Sequence, residues 1–229
     1  RLVNRVTFPA FSLMQASQER MRSAFFRQVR FVAALAMPIG IATIVFAHDF
    51  VYAVLNDSWA PAIVPMQILA VYGVIRSVAA NMGIIFQAGG KPQWLASIAA
   101  WRLITMAVLL YPFIRWGGLV GVSLLSAGVA VGGFVFSARP GGENLDARMV
   151  TYARIGAPML FYALLAGALG YLANQGLLAL GVWDVAALAA GGVVLVLVYG
   201  LLTWWRDDQL RPEINRGLTA LRQRARPAA

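Results

Sequence analysis

Residues 57–94 read DSWAPAIVPMQILAVYGVIRSVAANMGIIFQAGGKPQW. The run is apolar and long enough to cross a bilayer. It is entered through Trp59, Pro61 and Pro65 and left through Gly89, Gly90, Lys91 and Pro92. Arg76 stands near its middle. At ~1.5 Å per residue it lies roughly 16 Å along from Pro65, close to the centre of a hydrocarbon layer ~30 Å thick. Insertion of a guanidinium there costs about 2.5 to 3.5 kcal/mol, and such groups usually face a bundle interior or a wet cavity. Arg76 is therefore expected to mark a polar path through the protein.

Composition widens that reading to the whole chain. Of 229 residues 60% are hydrophobic and 12% charged, about half the charged fraction of an ordinary soluble domain. Cysteine is absent and histidine occurs once, so neither a disulfide framework nor a thiolate or histidine metal centre is expected, and no cofactor is implied. The net charge of +10 comes from arginines gathered between apolar runs, where they act as topology signals; nucleic acid is not an expected partner. No signal peptide opens the chain. It begins on Arg1, which suggests a start inside a longer reading frame.

Taken in order, residues 1–30 form a basic flank holding Arg1, Arg5, Arg20, Arg22, Arg27 and Arg30 against one acid, Glu19, and Phe8, Pro9 and Phe11 end a preceding helix. A transmembrane region, residues 31–205, follows. Its six spans are expected at about Phe31–Ala47, Ala62–Phe86, Trp94–Ile114, Leu119–Ser137, Ile155–Leu172 and Val185–Trp205. Pro38 and Gly40 predict a kink in the first. The segment His48–Ala60 carries Asp49 and Asp57 with no Lys or Arg, so it reads as external; Arg115–Gly118 reads as a tight external turn. Asn174, Gln175 and Gly176 lead into a second acidic external loop. Gly128 and Gly132 stand at the small-xxx-small spacing of close helix pairs. Residues 206–229 form a basic tail in which Leu210, Ile214, Leu218 and Leu221 recur at helical spacing, as in a helix lying on an anionic leaflet.

Under this arrangement Arg115 alone lies outside and Arg76 and Arg102 lie within spans, while the other sixteen of the nineteen basic residues fall on one side. The positive-inside rule makes that side, and both termini, cytoplasmic. The chain is thus read as an all-α polytopic membrane protein.

Arg76 and Arg102 sit about 15 and 12 Å from the same boundary on adjacent antiparallel helices. Two guanidiniums at one depth make a seat for a phosphate or diphosphate, which accepts bidentate hydrogen bonds from arginine. Tyr72 and Gln87 share the helical face of Arg76, Asn81 joins Gln67 and Ser77 on a second polar arc, and Trp101 flanks Arg102. Aromatic faces with amides and hydroxyls are suited to sugar rings. His48 and Asp49 could pass a proton at the rim or simply solvate a helix end. No acid is expected within any span, and no phosphate loop, paired acid and base or nucleophile triad is evident, so an enzyme is not expected.

The runs FPAFSLMQ at Phe8–Gln15, AMPIGI at Ala36–Ile41, WAPAIVPMQILAVYGVIRS at Trp59–Ser77 and GGKP at Gly89–Pro92, in this order, resemble the polysaccharide-exporter branch of the multidrug/oligosaccharidyl-lipid/polysaccharide flippase superfamily. The likeness is best over residues 1 to about 115. It implies one lobe of a two-lobed helical fold in a bacterial inner membrane, with a missing N-terminal lobe as partner. The implied activity is translocation of a polyprenyl-diphosphate-linked oligosaccharide by alternating access, for polysaccharide or lipopolysaccharide biosynthesis. The implied contacts are that lipid-linked oligosaccharide and membrane lipid. Rival readings are a cation-coupled drug antiporter of the same superfamily, which would want an intramembrane carboxylate, a membrane-bound glycosyltransferase or polymerase, and a structural membrane subunit.

Overall fold

The computed structural model describes residues 18–81, 93–145 and 149–206, and side chains within 23–81, 93–137 and 151–206. Every described element is helical. The elements are α1 (Gln18–Phe50), a π-helical turn (Val51–Leu55), a 3-10 segment (Asp57–Ala62), α2 (Ile63–Ala79), α3 (Gln93–Leu145), α4 (Met149–Ala179) and α5 (Asp184–Arg206). The preceding-helix residues Phe8–Phe11, the turn around Lys91 and the basic tail beyond Arg206 lie outside the described residues.

Five helices are long and apolar enough to cross a membrane, against the six spans expected. The difference lies in α3. Its 53 residues run as one helical element except at Gly118, whose φ of 52° and ψ of −129° leave the helix. A straight helix would hold Trp101 and Phe136 about 50 Å apart. Instead their rings stack with centroids 6.2 Å apart and planes 11° from parallel. The chain therefore doubles back at Gly118, and α3 consists of two antiparallel arms, residues 93–117 and 119–145. Only glycine adopts this backbone readily. Gly121 completes the turn, since a Cβ there would fall 2.1 Å from the Phe113 carbonyl oxygen.

Other boundaries shift as well. α1 runs without a break from the basic flank through Pro38 to Phe50, so His48 and Asp49 belong to the helix rather than to a loop. Continuing helical turns keep the backbone bonded as far as Asn56, whose side chain accepts from the Ser58 amide at 3.0 Å. α2 closes at Ala79, with Arg76 in its last turn; the rest of the expected span, residues 82–86, lies outside the described residues. A cation there faces the negative end of the helix dipole, which stabilises it by about 0.3–1 kcal/mol. α4 extends past Leu172 to Ala179, so Asn174 and Gln175 are helical.

Packing rests on small residues. α1 meets α2 at Gly40, against the Val74 methyl, and the Gln67 amide nitrogen donates to the Ile44 carbonyl at 3.0 Å. α4 and α5 touch backbone to backbone. A Cβ at Gly170 would lie 2.6 Å from the Gly191 carbonyl oxygen, one at Gly191 2.7 Å from that of Gly170, and the Phe46 ring borders both. Ala163, Ala166 and Leu195 are buried around this contact. The Gly128/Gly132 spacing behaves differently from expectation. Gly132 receives the Trp101 ring, whereas nothing lies within 4 Å of a Cβ at Gly128. At the other end Phe25, Val29 and Tyr152 form a second buried cluster with Phe26, Trp94 and Phe134 packed on it. The exterior carries Leu103, Val108, Tyr111, Leu172, Val196 and Trp205, all well exposed, an apolar surface far beyond what a water-soluble monomer shows.

Replacing Gly170 with alanine is expected to destabilise the protein by about 1–3 kcal/mol, because a backbone carbonyl opposite cannot yield as a side chain would. Gly128→Ala should stay within about 0.5 kcal/mol of the parent. Thermal unfolding of the two variants in detergent checks the difference.

Candidate functional site

The end of α2 faces both arms of α3. Between them lies a cavity of about 220 Å³ lined by Arg76, Ala79, Ala80, Leu95, Ile98, Ala99, Arg102, Val129, Ala130, Gly133, Phe134 and Ser137. Its space comes from the alanines and Gly133, where larger side chains would fill it. Its walls are otherwise apolar. The Ser137 hydroxyl is engaged with the Phe134 carbonyl at 2.8 Å, so the polar capacity of the chamber is that of the two guanidiniums. Among the described residues neither arginine has a carboxylate partner. Two positive groups without a counter-ion among the described residues, beside apolar walls, favour a bound anion electrostatically.

The cavity depends on the reversal at Gly118, since Arg102 comes from one arm of α3 and Gly133 and Ser137 from the other. Gly133 lies against the Arg102 side chain: a Cβ there would meet its Cδ at 3.7 Å and its Cγ at 3.9 Å. Phe134 is also part of the wall of a second cavity, about 280 Å³, lined by apolar residues of α1, α2 and α4 that include Val29, Met37, Val78 and Ile155, together with Tyr152.

The other sequence-derived candidates fall elsewhere. Trp101 is half-buried and spends its ring on Gly132 and Phe136, tying the arms of α3 together beside the cavity without lining it. Asn81 is 5% exposed, and its amide nitrogen donates to the carbonyls of Ser77 and Val78 at 3.1 and 3.2 Å, closing the end of α2. Tyr72, one turn before Arg76, is half-buried and outside the lining. Gln87 lies outside the described residues. Among the described residues no three His, Cys, Asp or Glu side chains meet as metal ligands.

One polar pairing was missed. Asp49, read as external, lies in the last turn of α1. Its Oδ2 accepts from the amide nitrogen of Asn174 on α4, and its Oδ1 lies 3.3 Å from His48 Nδ1. Both residues looked like loop polar groups in the sequence because Asp, His, Asn and Gly cluster there; the pairing spans 125 positions, which no local pattern encodes.

An all-helical, polytopic bundle with an apolar exterior and an arginine cavity defines an integral membrane protein, and comparison narrows the class. Residues 1–64 match the family described as "Polysaccharide biosynthesis protein". The chain is 29% identical over 123 residues to an "Uncharacterized membrane protein in cps region" of Klebsiella pneumoniae, covering 54% of this chain and 25% of that protein. It is 31% identical over 90 residues to the "Lipopolysaccharide biosynthesis protein WzxC" of Escherichia coli (strain K12), covering 39% and 18%. It is 23% identical over 134 residues to the "Teichuronic acid biosynthesis protein TuaB" of Bacillus subtilis (strain 168), covering 58% and 28%. The matches thus span about a quarter of the length of these relatives. No solved structure gives a significant match. The resemblance to the polysaccharide-exporter family drawn from the sequence is met by these relatives, and the chain is a helical membrane protein similar over part of its length to proteins named for polysaccharide biosynthesis.

The chain contains no cysteine, so single introduced thiols report water access cleanly. In membranes, Ala99→Cys, on the cavity wall, is expected to react with a charged methanethiosulfonate at least tenfold faster than Leu103→Cys, whose side chain is 71% exposed on the apolar exterior. Equal rates, measured by mass shift, would place lipid or no water at both.

Proposed function

We propose that this chain takes part in moving a polyprenyl-diphosphate-linked oligosaccharide across the bacterial inner membrane by alternating access, for polysaccharide or lipopolysaccharide synthesis. The observation that carries the reading is the shared cavity of Arg76 and Arg102, positive and without a carboxylate. The two guanidiniums attract the diphosphate through charge-assisted, bidentate hydrogen bonds. Phe134 stands between this chamber and the apolar one beside it, an arrangement suited to an amphiphile whose charged head and hydrocarbon chain part at that ring. Tyr72 and Gln87 are then groups along the saccharide path, Asn81 closes the end of α2 that carries Arg76, and Trp101 positions Arg102 through the α3 arms.

Transport of this kind makes and breaks no covalent bond, and the described residues of the cavity include no acid–base pair, which favours translocation over glycosyl transfer. The proposed topology puts both termini in the cytoplasm, with a further lobe of the same protein completing the path opposite the arginines. The relatives named for lipopolysaccharide and teichuronic acid biosynthesis lend the reading its glycan context.

Arg76→Ala and Arg102→Ala are each expected to lower export of lipid-linked glycan roughly ten- to a hundredfold, the effect of losing a charge-assisted hydrogen bond, with protein levels in the membrane unchanged. Arg76→Lys should retain part of the activity, since an ammonium keeps the charge but not the bidentate fork. A leaflet-transfer assay with intact lipid-linked oligosaccharide checks both. Full export by Arg76→Ala would remove the arginine from the mechanism.

A further inference from the structure

A separate pocket of about 300 Å³ lies at the end of α1 opposite His48. It is lined by Ser23, Phe26, Arg27 and Arg30 of α1 and by Ile155 of α4, none of which borders the cavity of Arg76 and Arg102. At ~1.5 Å per residue Arg27 and His48 stand roughly 31 Å apart on α1, about the thickness of the hydrocarbon layer of a bilayer. Gly40 of α1 lies level with Val74 of α2, so Arg27 stands about 16 Å further towards that end than Arg76. The pocket is therefore at headgroup depth, whereas Arg76 lies within the apolar part of the bundle.

Its apolar walls are fixed by packing. The Phe26 ring lies edge-on to Phe25, with centroids 5.3 Å apart, and 5.8 Å from the ring of Tyr152 on α4. Ile155 is buried. The polar lining is two guanidiniums and a hydroxyl, with no acid among the described residues of the pocket. Residues four apart share a helix face. Ser23 and Arg27 therefore head a row that continues through Phe31, Leu35 and Ile39, which are 44%, 54% and 67% exposed. A cationic pocket thus opens onto an apolar track one hydrocarbon chain wide. A topology signal requires only positive charge; it requires neither a walled pocket nor a track leading from it.

We propose that this pocket binds the headgroup of an anionic glycerophospholipid such as phosphatidylglycerol, that an acyl chain of the lipid lies along Phe31, Leu35 and Ile39, and that the bound lipid bridges α1 and α4. Arg27 offers a planar fork to the phosphodiester oxygens and Arg30 adds a second positive charge. Ser23 supplies a hydroxyl for the glycerol of the headgroup. Basic pockets between membrane helices suit such lipids. Phosphatidylcholine is disfavoured, because its own ammonium would be brought against the two guanidiniums. A free phosphate would meet the charge but leave the apolar track uncovered. The site is independent of the proposed export path, whose arginines lie deeper.

The test mixes the full chain in detergent with palmitoyl-oleoyl phosphatidylglycerol or with the phosphatidylcholine of the same chains and reads bound lipid by native mass spectrometry. Phosphatidylglycerol is expected to bind about tenfold more tightly or better. Arg27→Gln and Arg30→Gln should each weaken it about ten- to a hundredfold, the effect of losing a charge-assisted hydrogen bond, and leave phosphatidylcholine unchanged. Arg206→Gln removes the same charge at the same end of the bundle without touching the pocket, and should shift the affinity by less than about twofold. Ser23→Trp keeps both arginines but fills the pocket, and should abolish the preference; with Arg27→Lys, which should keep part of it, this variant tests the site should the glutamine variants fail to fold. Arg76→Ala should bind the lipid as the parent does, so that failure of this site and failure of the export reading are distinguishable. The proposal is overturned if the two lipids bind alike, if Arg206→Gln weakens binding as much as Arg27→Gln, which diffuse surface charge would produce, or if Ser23→Trp binds as the parent does. It is also overturned if glycerol phosphate or farnesyl diphosphate at the same concentration displaces the lipid, since the pocket would then belong to a soluble anion or to a polyprenyl substrate.

Discussion

The reversal of α3 at Gly118 is the constraint on which the candidate site depends. Until the chain folds back there, Arg102 and Ser137 belong to distant parts of one helix; afterwards they wall the same chamber. The turn is held by glycine at two points for two reasons. Gly118 adopts a backbone that a side chain would strain, and Gly121 lets the Phe113 carbonyl approach where a Cβ would collide. The stack of Trp101 on Phe136, with Gly132 receiving the indole, then fixes the register of the two arms. The aromatic residue next to Arg102 thus contributes by positioning its helix.

Charge and oil are reconciled differently at the two ends of the bundle. At one end the last turn of α2 offers Arg76 the negative pole of a helix, and the cavity keeps its head away from a purely hydrocarbon setting. At the other end Asp49 is paired with Asn174 of α4 and lies beside His48, while Asn174 Oδ1 has no partner among the described residues.

That packing is made chiefly of small side chains. Hydrocarbon gives little hydrophobic incentive for one helix to leave lipid for another, so helices associate where backbones come close enough for dispersion to accumulate. Gly170 and Gly191 bring α4 and α5 into carbonyl contact, Gly40 admits Val74, and Phe46 seals the place where α1 meets both later helices. The same contact surrounds Asn174, whose Cβ lies against Gly191, so its bond to Asp49 is mounted where α4 and α5 meet closely.

Hydropathy and composition alone determined that this is a helical membrane protein, because a chain with so few charges can satisfy its backbone in lipid only through helices or a closed barrel, and its apolar runs are of helical length. The last helix was legible almost to the residue, and the segment Arg115–Gly118 announced a change of direction through its glycines. Arg76 and Arg102 stood out for the same reason, as charges within apolar runs, where each is costly wherever its neighbours lie. What the sequence could not determine were partners distant in the chain. The contact of Trp101 with Phe136, the meeting of Gly170 with Gly191 and the bond from Asn174 to Asp49 were decided by helix rotation and depth, which arise from packing all the helices at once. A glycine reads alike whether it lies open, as Gly128 does, or against another backbone, as Gly170 does; only the assembled bundle distinguishes them.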